Sequence, residues 1–373
     1  NRLTSKEVVL SDNSKFTDSV TYKNNYSEEV LKYTTGVMYN IGSYDYKEAV
    51  ITYEEDNLGR IITEITTIGS AVFRKEYTYQ GTGANATNLI SQMVVKRNGV
   101  SLETYNYTYD NMGRIINIVN TSGSVNNRYT YDLLGRLIRE DNKEVGTTTL
   151  FEYDTNGNML NKSVAGYTIS DTVTTNPPHL FSVSSDYADY IESYDGKAIE
   201  TSSIGNITEV GTTTYSWTRA KLLSQVKKSA TDYVNYNYDG EGLRISKSHY
   251  NNGVTTTHTY IRDGKKILVE KINSGTTEKV LNYLYLGENV IGFVYNNAYY
   301  HFQKNLQNDI IAIYNESGTK VAAYEYDAWG NHTITLDTNS IGSLNPFRYR
   351  GYYYDEETQL FYCNSRYYSP ELC

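Results

Sequence analysis

The chain has 373 residues, 39% of them hydrophobic and 21% charged, with a net charge of −9. The acidic balance gives no electrostatic footprint for nucleic acid or for an anionic membrane surface, and no apolar run approaches the ~18 residues of a membrane span. Forty tyrosines stand against 8 Phe and 2 Trp. That excludes a disordered chain, which is poor in aromatics, and suits a large sheet with both faces partly wet better than a thick dry core, because a buried hydroxyl needs a partner.

The first 50 residues read as divergent copies of a repeat that becomes visible at Tyr53 to Arg60. Its regular form is Tyr107-Thr108-Tyr109-Asp110-Asn111-Met112-Gly113-Arg114-Ile115-Ile116. It returns as Tyr129-Thr130-Tyr131-Asp132-Leu133-Leu134-Gly135-Arg136-Leu137-Ile138, and again as Phe151-Glu152-Tyr153-Asp154-Thr155-Asn156-Gly157-Asn158. Tyr109, Tyr131 and Tyr153 are each 22 residues apart. Each part has a physical role. Alternation points both rings of Tyr-x-Tyr to one face of a strand. Asp ends the strand and offers a carboxylate to the backbone N–H groups of the turn. Gly supplies a positive φ, and the Arg-Leu-Ile run starts the return strand. The unit is a β-hairpin with an Asp-x-x-Gly link. One hairpin cannot bury a face alone, so neighbours must pair into one sheet, and right-handed twist makes a long sheet curl.

The segment at about 166–195 breaks the period, holds Pro177-Pro178, and reads as an insertion loop. Further copies follow. Trp217 replaces a Tyr in Tyr215-Ser216-Trp217. Tyr236-Asn237-Tyr238-Asp239 runs on to Gly242-Leu243-Arg244, with Tyr260 22 residues after Tyr238. Tyr324-Glu325-Tyr326-Asp327-Ala328-Trp329-Gly330-Asn331 closes the series. Arg60, Arg114, Arg136 and Arg244 each follow a turn, and pairing with a nearby Asp or stacking on Tyr suits them better than binding phosphate. The turn aspartates read as structural caps, because a catalytic carboxylate pair needs two special environments.

The two cysteines, Cys363 and Cys373, are too few for a disulfide framework and read as separate thiols. The histidines are scattered, without the spacing of a metal site. No nucleophile elbow, P-loop or supported Cys–His pair is present. No residue is assigned a catalytic, cofactor-binding or metal-binding role, and the chain reads as no enzyme.

These motifs resemble the YD repeats of the RHS family from about Tyr53 onward. His301-Phe302-Gln303-Lys304-Asn305-Leu306-Gln307-Asn308-Asp309-Ile310-Ile311 is similar to the family's late repeats. Pro346-Phe347-Arg348-Tyr349-Arg350-Gly351-Tyr352-Tyr353-Tyr354-Asp355 and Ser365-Arg366-Tyr367-Tyr368-Ser369-Pro370 resemble the RHS repeat-associated core. Ser369 departs from the usual Asp, and Asn308, Gln359 and Cys373 from the usual Gly. The resemblance implies an all-β fold, in which a continuous spiralling antiparallel sheet of hairpins forms part of a hollow shell. It divides the chain into divergent repeats at 1–50, YD repeats at 51–340 and a truncated core at 341–373. It assigns structural motif roles to Tyr109, Asp110, Gly113, Arg114, Tyr131, Asp132, Gly135, Arg136, Tyr153, Asp154, Gly157, Tyr238, Asp239, Tyr326, Asp327, Gly330, Arg350, Gly351, Arg366 and Tyr368.

The function implied is a shell segment of a secreted or surface polymorphic toxin that encloses a C-terminal toxin of the same parent chain. The alternative is a cell-wall or surface module that binds glycans. A third reading, an aspartyl self-cleaving core, would need carboxylates beyond Cys373. A strand residue covers ~16 Å² of sheet. Even fully closed, the chain would enclose a space of ~16–17 Å radius, barely that of a domain with radius of gyration ~13 Å. The expectation is therefore part of a larger wall. For the turns, Gly135→Val is expected to be more damaging than Asn142→Val, since Asn142 falls in a link between hairpins.

Overall fold

The structure is a computed structural model and describes residues 4–11, 13–22, 30–40, 44–183 and 191–372. Among the described residues the sheet has 29 strands, from Ser5–Val9 to His332–Asp337. Each strand pairs antiparallel with the next in the chain, so the order along the sheet is the order in the sequence. This is the arrangement that hairpins joined by short turns must give. The four strands between Ser5 and Glu55 belong to the same sheet as the regular repeats.

A bulge recurs beside the turns. Tyr109 sits opposite Ile115, Tyr131 opposite Leu137 and Tyr153 opposite Met159, and each pairing marks a register shift. The same shift occurs at Trp217–Leu223 and Tyr238–Arg244. A bulge bends its strand and adds right-handed twist, so curvature is built into each repeat. The sheet consequently spirals until early strands meet late ones. Val30–Asn40 packs against Thr277–Leu286, Phe73 stacks on His301 at 4.6 Å, and Lys47 pairs with Glu316 at 2.8 Å. The largest hydrophobic cluster lies where they meet, joining Phe16, Val37 and Ile51 to Leu281, Phe293 and Ile313. No strand pairing between Ser5–Val9 and His332–Asp337 closes the sheet among the described residues.

Within 166–195 the irregular stretch is shorter than an insertion loop of that length. His179–Val183 pairs with Met159–Gly166 and with Ile191–Tyr194, and Phe181 packs on the Tyr194 ring at 4.8 Å. Apolar alternation keeps this segment in the sheet despite the broken period; positions 184–190 lie outside the described residues. The tyrosines also differ from a wet-faced sheet. Tyr283 and Tyr324 are almost fully buried. Burial is tolerated where the hydroxyl finds an acceptor, as when Tyr324 donates to the Gly342 carbonyl at 2.7 Å.

After Asp337 the chain leaves the sheet. It makes the four-residue helix Ile341–Leu344 and a small antiparallel sheet of Tyr353–Asp355, Leu360–Tyr362 and Tyr367–Tyr368. Phe361, at its centre, is fully buried. Cys373 lies outside the described residues; the half-buried Cys363 thiol is pushed up to about 11 by burial.

Candidate functional site

The repeated turn is a lock with defined geometry. The Asp132 backbone N–H donates to the Arg136 carbonyl at 2.9 Å, and Gly135 N–H donates back to the Asp132 carbonyl at 3.0 Å. The Asp132 carboxylate accepts the backbone N–H of Leu134 and of Arg136 through Oδ1, and Arg136 Nε through Oδ2 at 2.7 Å. Asp110 and Arg114 repeat this arrangement. At Asp154 and Asp327 the partners are Asn158 and Asn331, whose amides take the place of the guanidinium. The Asp110 carboxyl is held below the usual range by the Arg114 backbone N–H, against partial desolvation, and by the Arg114 guanidinium.

The lock extends to the following repeat. Arg114 lies over the Tyr131 ring at 4.6 Å and Arg136 over Tyr153 at 5.0 Å. Tyr131 in turn donates its hydroxyl to the Ile115 carbonyl, and Tyr153 to that of Leu137. Each arginine therefore pairs with its own Asp and stacks on a neighbouring Tyr, with the ring anchored to the residue that follows the arginine. Tyr238 and Tyr326 make the same hydroxyl contact, with Leu223 and Ile310.

Arg244 departs from this plan. In its turn Leu243 takes the position after Gly242, and its N–H meets the Asp239 carboxylate. Arg244 is one residue later and pairs across the ladder with Tyr238. A one-residue shift in a strand reverses the face of the side chain. Arg244 becomes fully buried and donates to Asp355 Oδ2 at 2.5 Å, while Lys247 donates to Asp355 Oδ1 at 2.9 Å. Lys247 also pairs with Glu357 at 2.7 Å. Five tyrosine rings, those of Tyr236, Tyr260, Tyr353, Tyr362 and Tyr367, lie around the Arg244 guanidinium. Beside it, Glu270 accepts the hydroxyls of Tyr283 and Tyr353 and contacts His258 at 2.6 Å. Burial would raise the Asp355 carboxyl, but Arg244 and Lys247 outweigh it and hold it below its ordinary value. A carboxylate kept ionised by two cations is suited to fastening the C-terminal segment to the sheet. It is unsuited to aspartyl chemistry, where two carboxylates share one proton.

The other residues singled out by the sequence make contacts of their own. Arg350, with a φ of 53°, donates its backbone N–H to Asp309 Oδ1 at 2.8 Å, and Gly351 follows with a φ of 71°. Gly330 has a φ of 93°, and a side chain there would meet the Tyr349 ring at 2.6 Å. Tyr368 donates to the Trp329 carbonyl at 2.7 Å. Arg366 is exposed, and its neighbour Tyr367 is the residue that reaches the Arg244 cluster. Asn142 is almost fully buried. Its amide reaches Glu140 and the Tyr326 carbonyl at 2.7 Å, so it joins an early strand to a late one and is no passive link. Glu140 accepts the Ala328 N–H at 3.0 Å. Between these strands lies a cavity of about 430 Å³, lined by Tyr107, Glu140, Glu144 and Tyr326 among others. It is of small-molecule size.

The teneurin YD-shell family profile matches residues 82–373. A tRNA3(Ser)-specific nuclease, WapA of Bacillus spizizenii, is 38% identical over 168 residues, which are 44% of this chain and 7% of that protein. The tRNA nuclease WapA of Bacillus subtilis is 38% identical over 169 residues, again 44% and 7%. The chain thus spans a small part of the length of these relatives. Among solved structures, the Photorhabdus luminescens Tc holotoxin pore superposes with a TM-score of 0.66 at 16% identity, covering 96% of this chain and 21% of that one. At that identity the likeness is one of fold.

Proposed function

The chain belongs to the teneurin YD-shell family, and from that premise we propose that it is a wall segment of a secreted or surface-displayed RHS toxin. Its role is to enclose and deliver a toxin carried by the same parent chain. Chemistry on a target belongs to that toxin. The observation that carries the reading is the spiral itself: a sheet in which every strand pairs with its sequence neighbour and whose curvature is renewed by a bulge at successive turns. Such a sheet extends by adding repeats and encloses more space as it does. The WapA relatives are named as nucleases, which supports a toxic enzyme as cargo. The fastening of the C-terminal segment by Arg244, Lys247 and Asp355 supports a plug on the wall, since it ties residues more than 100 positions apart.

The test is protease protection of the parent protein. Whatever polypeptide follows this chain should resist proteinase K until denaturant opens the sheet, and electron microscopy should show a hollow particle. Free digestion of that polypeptide at native conditions would refute enclosure. Saturable binding of the purified chain on a glycan array would favour the adhesion alternative.

A further inference from the structure

A second cavity, of about 560 Å³, lies between the C-terminal segment and the strands Lys266–Ser274, Asn289–Tyr295 and Ala298–Lys304. Its charge is opposite to that of the chain. Lys265, Lys266, Lys304 and Arg350 line it, with Glu288 as the one carboxylate. Glu288 is largely exposed and 3.7 Å from Lys266, and Arg350 is 3.8 Å from Asp309. Lys304 is different: it is 8% exposed, and among the described residues no carboxylate lies at ion-pair distance from it. Its ammonium carries three donors, and one of them meets Asn308 Oδ1 at 3.0 Å. The ammonium also sits 3.7 Å from where a side chain on Gly351 would begin, and Gly351 lines the same cavity. Among the described residues the ammonium has no second hydrogen-bond partner.

Burying an ammonium with no carboxylate in direct contact is costly, and here burial, with the nearby Lys75 charge, pushes Lys304 down to about 7 against the opposing pull of the Glu64 and Asp309 carboxylates. The rest of the lining is aromatic and aliphatic, from Tyr285, Val290, Phe347 and Tyr353. A cavity in the ~300–1,000 Å³ range with an apolar lining and few polar groups is the usual form of a small-molecule site. We propose that this cavity binds a small organic anion, a carboxylate or phosphate carried on a ring-sized apolar body, with Lys304 as the buried counter-charge and Lys266 at the rim. The anion supplies the acceptors that Lys304 lacks, and the apolar body covers Phe347 and Tyr353.

The experiment is calorimetric titration of the whole chain with phenyl phosphate, benzoate and inorganic phosphate, beside thermal melts in each ligand. Phenyl phosphate or benzoate should bind with one-to-one stoichiometry and raise the melting temperature. Inorganic phosphate should bind roughly tenfold more weakly, about 1.4 kcal/mol, since it leaves the apolar lining uncovered. Lys304→Met should abolish the heat and the shift, yet melt no lower than the parent chain without ligand, because a buried charge has been removed. Lys304→Arg should restore part of the binding. Absence of binding by the unmodified chain at millimolar phenyl phosphate and benzoate would overturn the proposal. So would binding that survives in Lys304→Met, or equal affinity for inorganic phosphate.

Discussion

The repeat turns and the C-terminal fastening both pair an aspartate with an arginine against tyrosine rings, and they hold the molecule in different ways. At Asp132 the aspartate, its arginine and the loop that they close fall within five consecutive residues, and the side chains keep 20% and 26% exposure. At Asp355 the partners are 111 and 108 residues away, and Asp355 and Arg244 are fully enclosed. Water screens the first kind, which contributes little singly and gains its effect by repetition. The second kind has no water to fall back on: its charges are affordable only as a complete set. A hairpin repeat can lose one turn lock and remain a hairpin, whereas Arg244 and Lys247 share one buried carboxylate, Asp355.

The largest expected effect comes from breaking that set. Asp355→Asn leaves Arg244 and Lys247 buried with one carboxylate fewer, and should cost about 3–5 kcal/mol, read as a lower urea midpoint. An unchanged midpoint would show that the fastening is dispensable. Asn142→Val should cost about 2–4 kcal/mol by leaving Glu140, the Val145 N–H and the Tyr326 carbonyl short of partners. That places it at or above Gly135→Val, the reverse of the order expected from sequence.

Between these extremes lies a pH effect. Burial raises the Glu140 carboxyl to about 7, in spite of the Ala328 N–H. A carboxyl whose folded value exceeds its unfolded one binds more protons when folded, so stability should fall as pH rises from about 4.5 through 7, by up to ~3 kcal/mol. Glu140→Gln should flatten that slope. Asp110 carries the opposite sign: the Arg114 backbone N–H and guanidinium depress it, so its contribution is lost only as pH falls below its ordinary value. The smallest effect should be that of Arg136→Lys, which weakens the stack on Tyr153 and should cost roughly 0.5–1 kcal/mol. A loss as large as that of Asp355→Asn would erase the distinction between the two regions.

What is local could be read from the residues alone. Tyr-x-Tyr-Asp-x-x-Gly specified the hairpins, the positive φ of Gly113 and Gly135 and the choice of Asp or Tyr as partner for Arg114, because every group involved lies within one repeat or the next. The exception is also written there: Arg244 stands five residues after its aspartate, where Arg114 and Arg136 stand four after theirs, and period two makes that offset a change of face. The bulges were not legible, since register emerges from pairing with a neighbour. Nor were the burial of Asn142, the meeting of early and late strands, or the cation-lined cavity under the C-terminal segment. Those depend on the accumulated twist of 29 strands, a sum over the whole sheet that brings Asp355 to Arg244 and that no single repeat encodes.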